Sequence, residues 1–113
     1  MNTNIRVETH PNFEVRSYHP NFEISKSPIE NFWRPVRPDS KEYLKKLGRK
    51  GAALVRRLLK IPGVAEVTIQ PYEVSVRKGL NFAWDDIQPA VLETIGMSMP
   101  KGLREAGQEF EQQ

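Results

Sequence analysis

Residues 58–78, LLKIPGVAEVTIQPYEVSVRK, hold the pattern that decides the fold of this 113-residue chain. Pro62 followed by Gly63 is a typical helix stop, so a helix should end just before them. Two short runs of alternating apolar and polar residues follow, at 64–69 and 73–78. The turn former Gln70-Pro71-Tyr72 separates them, and this arrangement predicts an antiparallel hairpin.

A helix is expected directly after the hairpin, in residues 82–95, FAWDDIQPAVLETI. Proline is tolerated only near the start of a helix, so Pro89 predicts a helix that begins near residues 84–86. Asp85 and Asp86 support this start, because carboxylates are favoured at helix N-termini. The apolar residues that recur at steps of three and four are Trp84, Ile87, Val91 and Ile95.

The N-terminal part is predicted to contribute two strands. Residues 5–9 alternate between apolar and polar side chains, which indicates a first strand. The sequence then repeats itself, with HPNFEV at 10–15 and HPNFEI at 19–24. We predict a second strand over residues 13–18, either continued or replaced by residues 22–25 after a bend at Pro20.

Residues 25–38 are predicted to form a proline-rich loop inside the domain. Three prolines in this span exclude a regular central strand or a helix interior. The loop contains the adjacent aromatic residues Phe32 and Trp33, which either pack onto the core or mark a contact surface. Trp33 is the better candidate for an exposed contact with a partner.

A second, basic helix is predicted over residues 40–60. Asp39 stands at the N-cap and Glu42 follows it at capping-box spacing. Gly48 and Gly51 both weaken a helix, so a break into two pieces near 48–51 is an alternative. The residues of its apolar stripe are Leu44, Leu47, Gly51, Leu54, Val55, Leu58 and Leu59.

These elements predict an α+β fold with the order β-β-α-β-β-α. The apolar faces fit a two-layer sandwich, in which two helices cover one face of a small, mainly antiparallel sheet. We expect one domain over residues 1–96 and a flexible C-terminal tail over residues 97–113, which is polar and has no apolar stripe.

Composition excludes several classes of site. The chain has no cysteine, so it cannot form a disulfide, a thiolate zinc site or a cysteine-ligated iron–sulfur cluster, and it has no cysteine nucleophile. Its N-terminus lacks the apolar run of a secretory signal, and no apolar stretch approaches the ~20 residues that span a bilayer. We therefore expect a cytoplasmic protein without membrane contact, and a monomer rather than an oligomer.

Positive charge is concentrated in residues 41–60. They carry a net charge of +7, whereas the whole chain carries +3. Such a segment is either a solvated face or a surface for an acidic partner. The candidate partner-binding residues are Lys45, Lys46, Arg49, Lys50, Arg56, Arg57 and, in the proline-rich loop, Trp33.

The histidines are the remaining candidates for chemistry. His10 and His19, with Glu14 and Glu23 in the two repeats, offer ligand types that bind divalent metals. On an extended chain nine residues span about 30 Å, so the two histidines meet only if the chain folds back. We therefore predict no metal site and no cofactor. No residue pattern of an active site is present, so we expect no catalytic residue and a protein that is not an enzyme.

Several of these motifs, in this order, resemble the N-terminal domain of Nfu/NifU-type scaffold proteins. The opening IRVETHPN is similar to the family's first strand and its Thr-Pro-Asn turn, with His10 inserted. The resemblance extends over residues 4–96. Further matches are the Leu-x-x-Ile-x-Gly-Val step at Leu58, Ile61, Gly63 and Val64, and the Trp-led helix with Trp84, Ile87, Pro89, Val91 and Ile95.

The resemblance implies the fold and a role beside iron–sulfur cluster assembly. Full-length Nfu proteins assemble clusters on a separate C-terminal domain with a Cys-x-x-Cys motif, which these residues lack. The implied function is therefore a non-catalytic protein-interaction or accessory domain that binds no cluster itself, with the iron–sulfur assembly machinery as its partner. The alternative is a small basic protein that binds nucleic acid through the helix at 41–60, and this is not favoured.

Overall fold

The computed structural model describes residues 5–34 and 40–98, which contain five strands and three helices. No helix in this part of the chain is long and apolar enough to cross a membrane. The elements in chain order are β1 (Ile5–Thr9), β2 (Val15–Pro20), β3 (Glu30–Trp33), α1 (Ser40–Lys46), α2 (Gly48–Leu59), β4 (Val64–Gln70), β5 (Glu73–Lys78) and α3 (Trp84–Gly96).

The five strands form one antiparallel sheet in the order β1-β2-β5-β4-β3. The predicted hairpin is its centre, where β4 and β5 pair with Val67 opposite Val76. β2 pairs with the other side of β5, and β3 pairs with the other side of β4. β1 and β3 are therefore the edges of the sheet.

The core lies between this sheet and the helices. Side chains alternate along each strand, so Tyr18, Val74 and Val76 are fully buried on one face. Apolar side chains of the helices, including Leu58 and Ile87, are fully buried in the same core, as the apolar stripes predict. The predicted two-layer α+β fold is thus confirmed. The sequence prediction lacked one of the five strands.

That strand is β3, and it corrects the prediction of a proline-rich loop over residues 25–38. The prolines exclude a central strand, but β3 is an edge strand that pairs only with β4. Its four residues lie between Pro28 and Pro35 and avoid both. Alternation then separates the aromatic pair, because Phe32 is buried in the core whereas Trp33 is 52% exposed.

The helical segment at 40–60 is divided, which confirms the alternative of a break near 48–51. α1 ends at Lys46 and α2 begins at Gly48, whose φ is +86°. Gly51 allows the chain before β3 to pack directly on α2, since a Cβ there would lie 2.9 Å from the carbonyl oxygen of Ile24. The expected cap at Asp39 lies outside the described residues.

α3 begins at Trp84 and ends at Gly96, as the sequence predicts. Pro89 lies in its second turn rather than its first, one turn later than expected. The backbone N–H of Ser98 donates to the carbonyl of Ile95, and Ser98 is buried. The rest of the predicted tail, residues 99–113, lies outside the described residues.

Candidate functional site

The basic candidates lie on the solvent side of the helix layer. All six side chains are exposed, with Lys45 and Lys46 on α1 and the others on α2. None of the six forms a salt bridge with any residue in 5–34 or 40–98. Two of them lie over aromatic rings, Lys46 over Tyr43 at 5.0 Å and Lys50 over Phe22 at 5.9 Å.

The structure brings only half of these residues together. Lys45, Arg49 and Arg56 line a hollow of about 310 Å³, together with Lys41, Leu44 and the small residues Gly48 and Ala52. Lys46, Lys50 and Arg57 do not line it. The predicted basic surface is therefore a stripe along α1 and α2. We call the hollow in this stripe the basic hollow; the other three basic side chains lie beside it.

Trp33 lies away from the basic hollow, where it lines an apolar groove. The groove has a volume of about 460 Å³, and Phe82, 42% exposed, is its second aromatic residue. The Gly63 turn, the start of β4 and two arginines also line it. We call this feature the Trp33 groove; its lining residues are Trp33, Arg34, Pro62, Gly63, Val64, Ala65, Arg77, Gly79 and Phe82.

Phe82 is the functional candidate that the sequence prediction missed. It lies two residues before α3, at the start of the stretch 82–95 that the sequence assigns to the helix, and its apolar side chain outside the helical stripe is a usable signal. A Cβ on Gly63 would lie 2.8 Å from the Phe82 ring, so the ring packs directly on the glycine. Gly63 has a φ of +97°, a conformation in which residues with a side chain are strained.

The two arginines of the groove are both held by hydrogen bonds. The Arg34 guanidinium donates to the carbonyl oxygens of Leu59 and Ile61 at the end of α2. Arg77 donates from Nε to Glu66 Oε1 at 2.7 Å. This bond lowers the pKa of the Glu66 carboxyl, against the opposing effect of its partial burial.

Trp33 and the basic hollow do not form one surface. Phe32 points into the core under the helices, so alternation directs Trp33 to the opposite side of the sheet. The basic side chains point to solvent from the helix layer. A partner that contacts both must therefore reach around the edge formed by β3.

The chain folds back near His10 and His19, but neither histidine is hydrogen-bonded to Glu14 or Glu23, the carboxylates that the sequence placed with them. His10 Nε2 lies 2.7 Å from Ser17 Oγ, and Glu23 pairs with Lys26. His19 instead meets two glutamates that the prediction did not include, Glu8 and Glu73. Sequence spacing could not reveal this set, because its members come from three different strands.

His19 lies between these carboxylates on the sheet face that the described helices leave open. Its Nε2 is 2.7 Å from Glu8 Oε1, and its Nδ1 is 3.9 Å from Glu73 Oε1. The hydrogen bond from His19 lowers the pKa of the Glu8 carboxyl. By contrast, Asp85 and Asp86 are simply exposed in the first turn of α3, as their position in the sequence predicts.

Comparison with known proteins identifies the family. Residues 5–102 match the family described as "Scaffold protein Nfu/NifU N terminal". No curated protein matches the chain.

Two solved structures share the fold. Protein SAV1430 from Staphylococcus aureus is 15% identical, with a TM-score of 0.57 over 82% of this chain and 99% of its own. A NifU-like protein from Saccharomyces cerevisiae is also 15% identical, with a TM-score of 0.59 over 80% of this chain and 73% of its own.

At this identity the two structures establish a common fold only. The family match is broader evidence, because it includes every described strand and helix, from β1 through α3. It also confirms the resemblance seen in the strand–turn opening, the Gly-Val step and the Trp-led helix. The chain therefore belongs to the Nfu/NifU N-terminal domain family, a family of scaffold-protein domains rather than a known family of catalysts.

Proposed function

We propose that this domain is a non-catalytic protein-binding module of iron–sulfur cluster assembly, and that it binds a component of the assembly machinery without ligating the cluster. The observation that carries the proposal is the family match over residues 5–102, since that family comprises domains of scaffold proteins. The absence of cysteine from the sequence supports the second part, because it removes the usual cluster ligands.

The Trp33 groove is the surface we assign to the partner. Two large aromatic side chains stay half exposed beside a glycine turn, where nothing in the described residues covers them. Tryptophan is enriched among residues that dominate binding energy, especially inside an apolar pocket with a polar rim. Arg34 and Arg77 supply polar groups in the lining, and their hydrogen bonds hold both in position.

The basic hollow supplies the second contact in this proposal. Lys45, Arg49 and Arg56 present positive charge on one stripe, which suits an acidic segment of the partner. Nucleic-acid binding by the same residues finds no support in the comparisons, and we do not propose it. We propose that the domain acts in the cytoplasm and that it is a monomer when no partner is bound.

A binding titration with two purified probes tests this function. The probes are a scaffold domain that bears the Cys-x-x-Cys motif and a cysteine desulfurase, both from the source organism. We expect one of them to bind the wild-type chain, and Trp33→Ala to weaken that binding at least ~30-fold, as for a residue that dominates an interface. Isothermal calorimetry gives the affinity and the stoichiometry.

Tyr72→Ala is the matched control, because Tyr72 is 55% exposed at the opposite end of β4. It should leave the affinity unchanged. Absence of binding by both probes would refute the proposed function, whereas equal effects of the two variants would refute only the Trp33 groove as the surface. A duplex oligonucleotide that binds more tightly than either protein would favour the nucleic-acid alternative.

A further inference from the structure

We propose that Glu8, His19 and Glu73 form a binding site for a divalent transition-metal ion, of which Zn²⁺ is the representative. The three residues lie on neighbouring strands, β1, β2 and β5, and their side chains share the open face of the sheet. This site is separate from the Trp33 groove and from the basic hollow, and it does not depend on the function proposed above.

Strand register brings the three side chains together. Glu8 is opposite Ser17, so its side chain is diagonal to His19 on the same face of the β1–β2 pair. Tyr18 is opposite Val74, which places the preceding residue Glu73 beside His19 on the other flank. The imidazole thus stands between two carboxylates that are fixed by paired backbone rather than by a loop.

The distances suit a shared ion. One ligand atom from each side chain lies within 4.8 Å of the other two, and His19 Nε2 is 2.7 Å from Glu8 Oε1. Zinc bonds to imidazole nitrogen and carboxylate oxygen are about 2.0–2.2 Å long, so ligand atoms that share one ion lie roughly 3–3.5 Å apart, and the glutamate side chains must turn toward one ring nitrogen of His19 to reach that spacing. The ion binds one ring nitrogen of His19 and replaces the hydrogen bond that this nitrogen forms without metal. The other ring nitrogen keeps its proton.

Glu73 is already oriented by groups behind it. Its Oε1 faces His19, while its Oε2 accepts a hydrogen bond from Ser75 Oγ at 3.4 Å. Ser75 Oγ lies 2.7 Å from Ser17 Oγ, which lies 2.7 Å from His10 Nε2. Outer groups of this kind typically hold metal-binding carboxylates in position. Ser17 is fully buried, so this chain of hydrogen bonds is part of the packed structure.

The charges also match a divalent cation. Two carboxylates carry two negative charges beside one imidazole, which a doubly charged ion balances. Arg6 is opposite His19 on β1, but it forms no salt bridge with Glu8 or Glu73. Both carboxylates therefore remain available, and a ligand set of one nitrogen and two oxygens favours zinc over magnesium.

Calorimetric titration of metal-free, tag-free protein with zinc chloride tests the site. We expect one ion per chain, no detectable binding of magnesium chloride, and at least a tenfold loss of zinc affinity in His19→Gln. Glu73→Gln, which keeps the shape of the side chain, should lower the affinity by a similar factor. Zinc should also raise the unfolding midpoint of the wild type but not of His19→Gln.

His10→Gln tests for a site at the other histidine. Because His10 ends the hydrogen-bond chain behind Glu73, this variant should retain one zinc ion per chain, with a smaller loss of affinity than in His19→Gln. Glu14→Gln lies outside that chain and is the control, which should bind zinc like the wild type. The circular dichroism of every variant without metal should equal that of the wild type, since none of the substituted side chains is fully buried. No heat at millimolar zinc, or equal zinc affinity of the wild type and His19→Gln, would overturn the proposal. Loss of zinc binding only in His10→Gln would overturn it as well.

Discussion

At the scale of single residues, Gly63 connects the fold to the Trp33 groove. Its φ of +97° turns the chain from the end of α2 into β4. The missing side chain makes room for two neighbours, since a Cβ would lie 2.8 Å from both the Phe82 ring and Ile87 Cδ1. The same glycine therefore shapes the base of the groove and allows α3 to pack closely.

Gly63→Ala should destabilise the domain by about 2–4 kcal/mol, because it adds backbone strain at positive φ to overpacking against Phe82 and Ile87. Urea unfolding followed by circular dichroism measures the change. Gly79→Ala is the control, since the nearest neighbour of its Cβ would be the Phe82 ring at 3.3 Å and Gly79 has no positive φ. Equal destabilisation by the two variants would contradict this account of Gly63.

At the scale of elements, β3 shows how one short edge strand contributes both to the core and to the proposed binding surface. Its pairing with β4 extends the sheet, and its alternation sends Phe32 inward and Trp33 outward. Two adjacent residues of one type thus receive opposite roles from the period of the strand. β3 also ends the sheet beside the prolines, which limits further pairing at that edge.

Alanine substitution of each residue should separate these roles. Phe32→Ala should lower the free energy of unfolding by about 3–5 kcal/mol, because it leaves a cavity in the core. Trp33→Ala should lower it by less than about 1 kcal/mol, because half of its surface is already exposed. Thermal and urea unfolding give both values. A larger stability loss in Trp33→Ala than in Phe32→Ala would show that β3 has the opposite orientation.

At the scale of the whole molecule, the two proposed contact surfaces, one basic and one apolar, lie in different places. The basic hollow is on the solvent side of the helices, and the Trp33 groove is at the edge of the sheet. The segment at 41–60 carries +7 in a chain of +3, so the field of the protein is strongly one-sided. Such a field accelerates the encounter with an acidic partner more than it tightens the final complex.

Replacing Lys45, Arg49 and Arg56 together by glutamine should therefore slow association with the bound probe protein about tenfold at low salt, with little change in dissociation. The difference should shrink as salt rises, because screening weakens long-range attraction. Stopped-flow or biosensor kinetics measure both rates. The control with equal charge change is the glutamine triple variant of Lys46, Lys50 and Arg57; a stronger effect in this control would locate the contact outside the basic hollow.

The sequence by itself determined the layout of most elements. The helix stop at Pro62-Gly63, the two alternating runs that follow it and the stripe from Trp84 to Ile95 depend only on neighbours along the chain. The weakness of the helix at Gly48 was visible for the same reason. These signals are local, because a backbone period and a turn preference are properties of a short segment. They were sufficient for the fold class, the family and the basic surface.

Only the tertiary structure decided where distant residues meet. Residues 30–33 form strand β3 because the free edge of β4 is available for pairing. No local feature of these four residues predicts that pairing. Trp33 and Phe82, 49 positions apart in sequence, line one groove, and Glu8, His19 and Glu73 meet because three strands pair in one register. Pairing register and packing depend on the whole chain at once, so side-chain clusters built by them are absent from any local pattern.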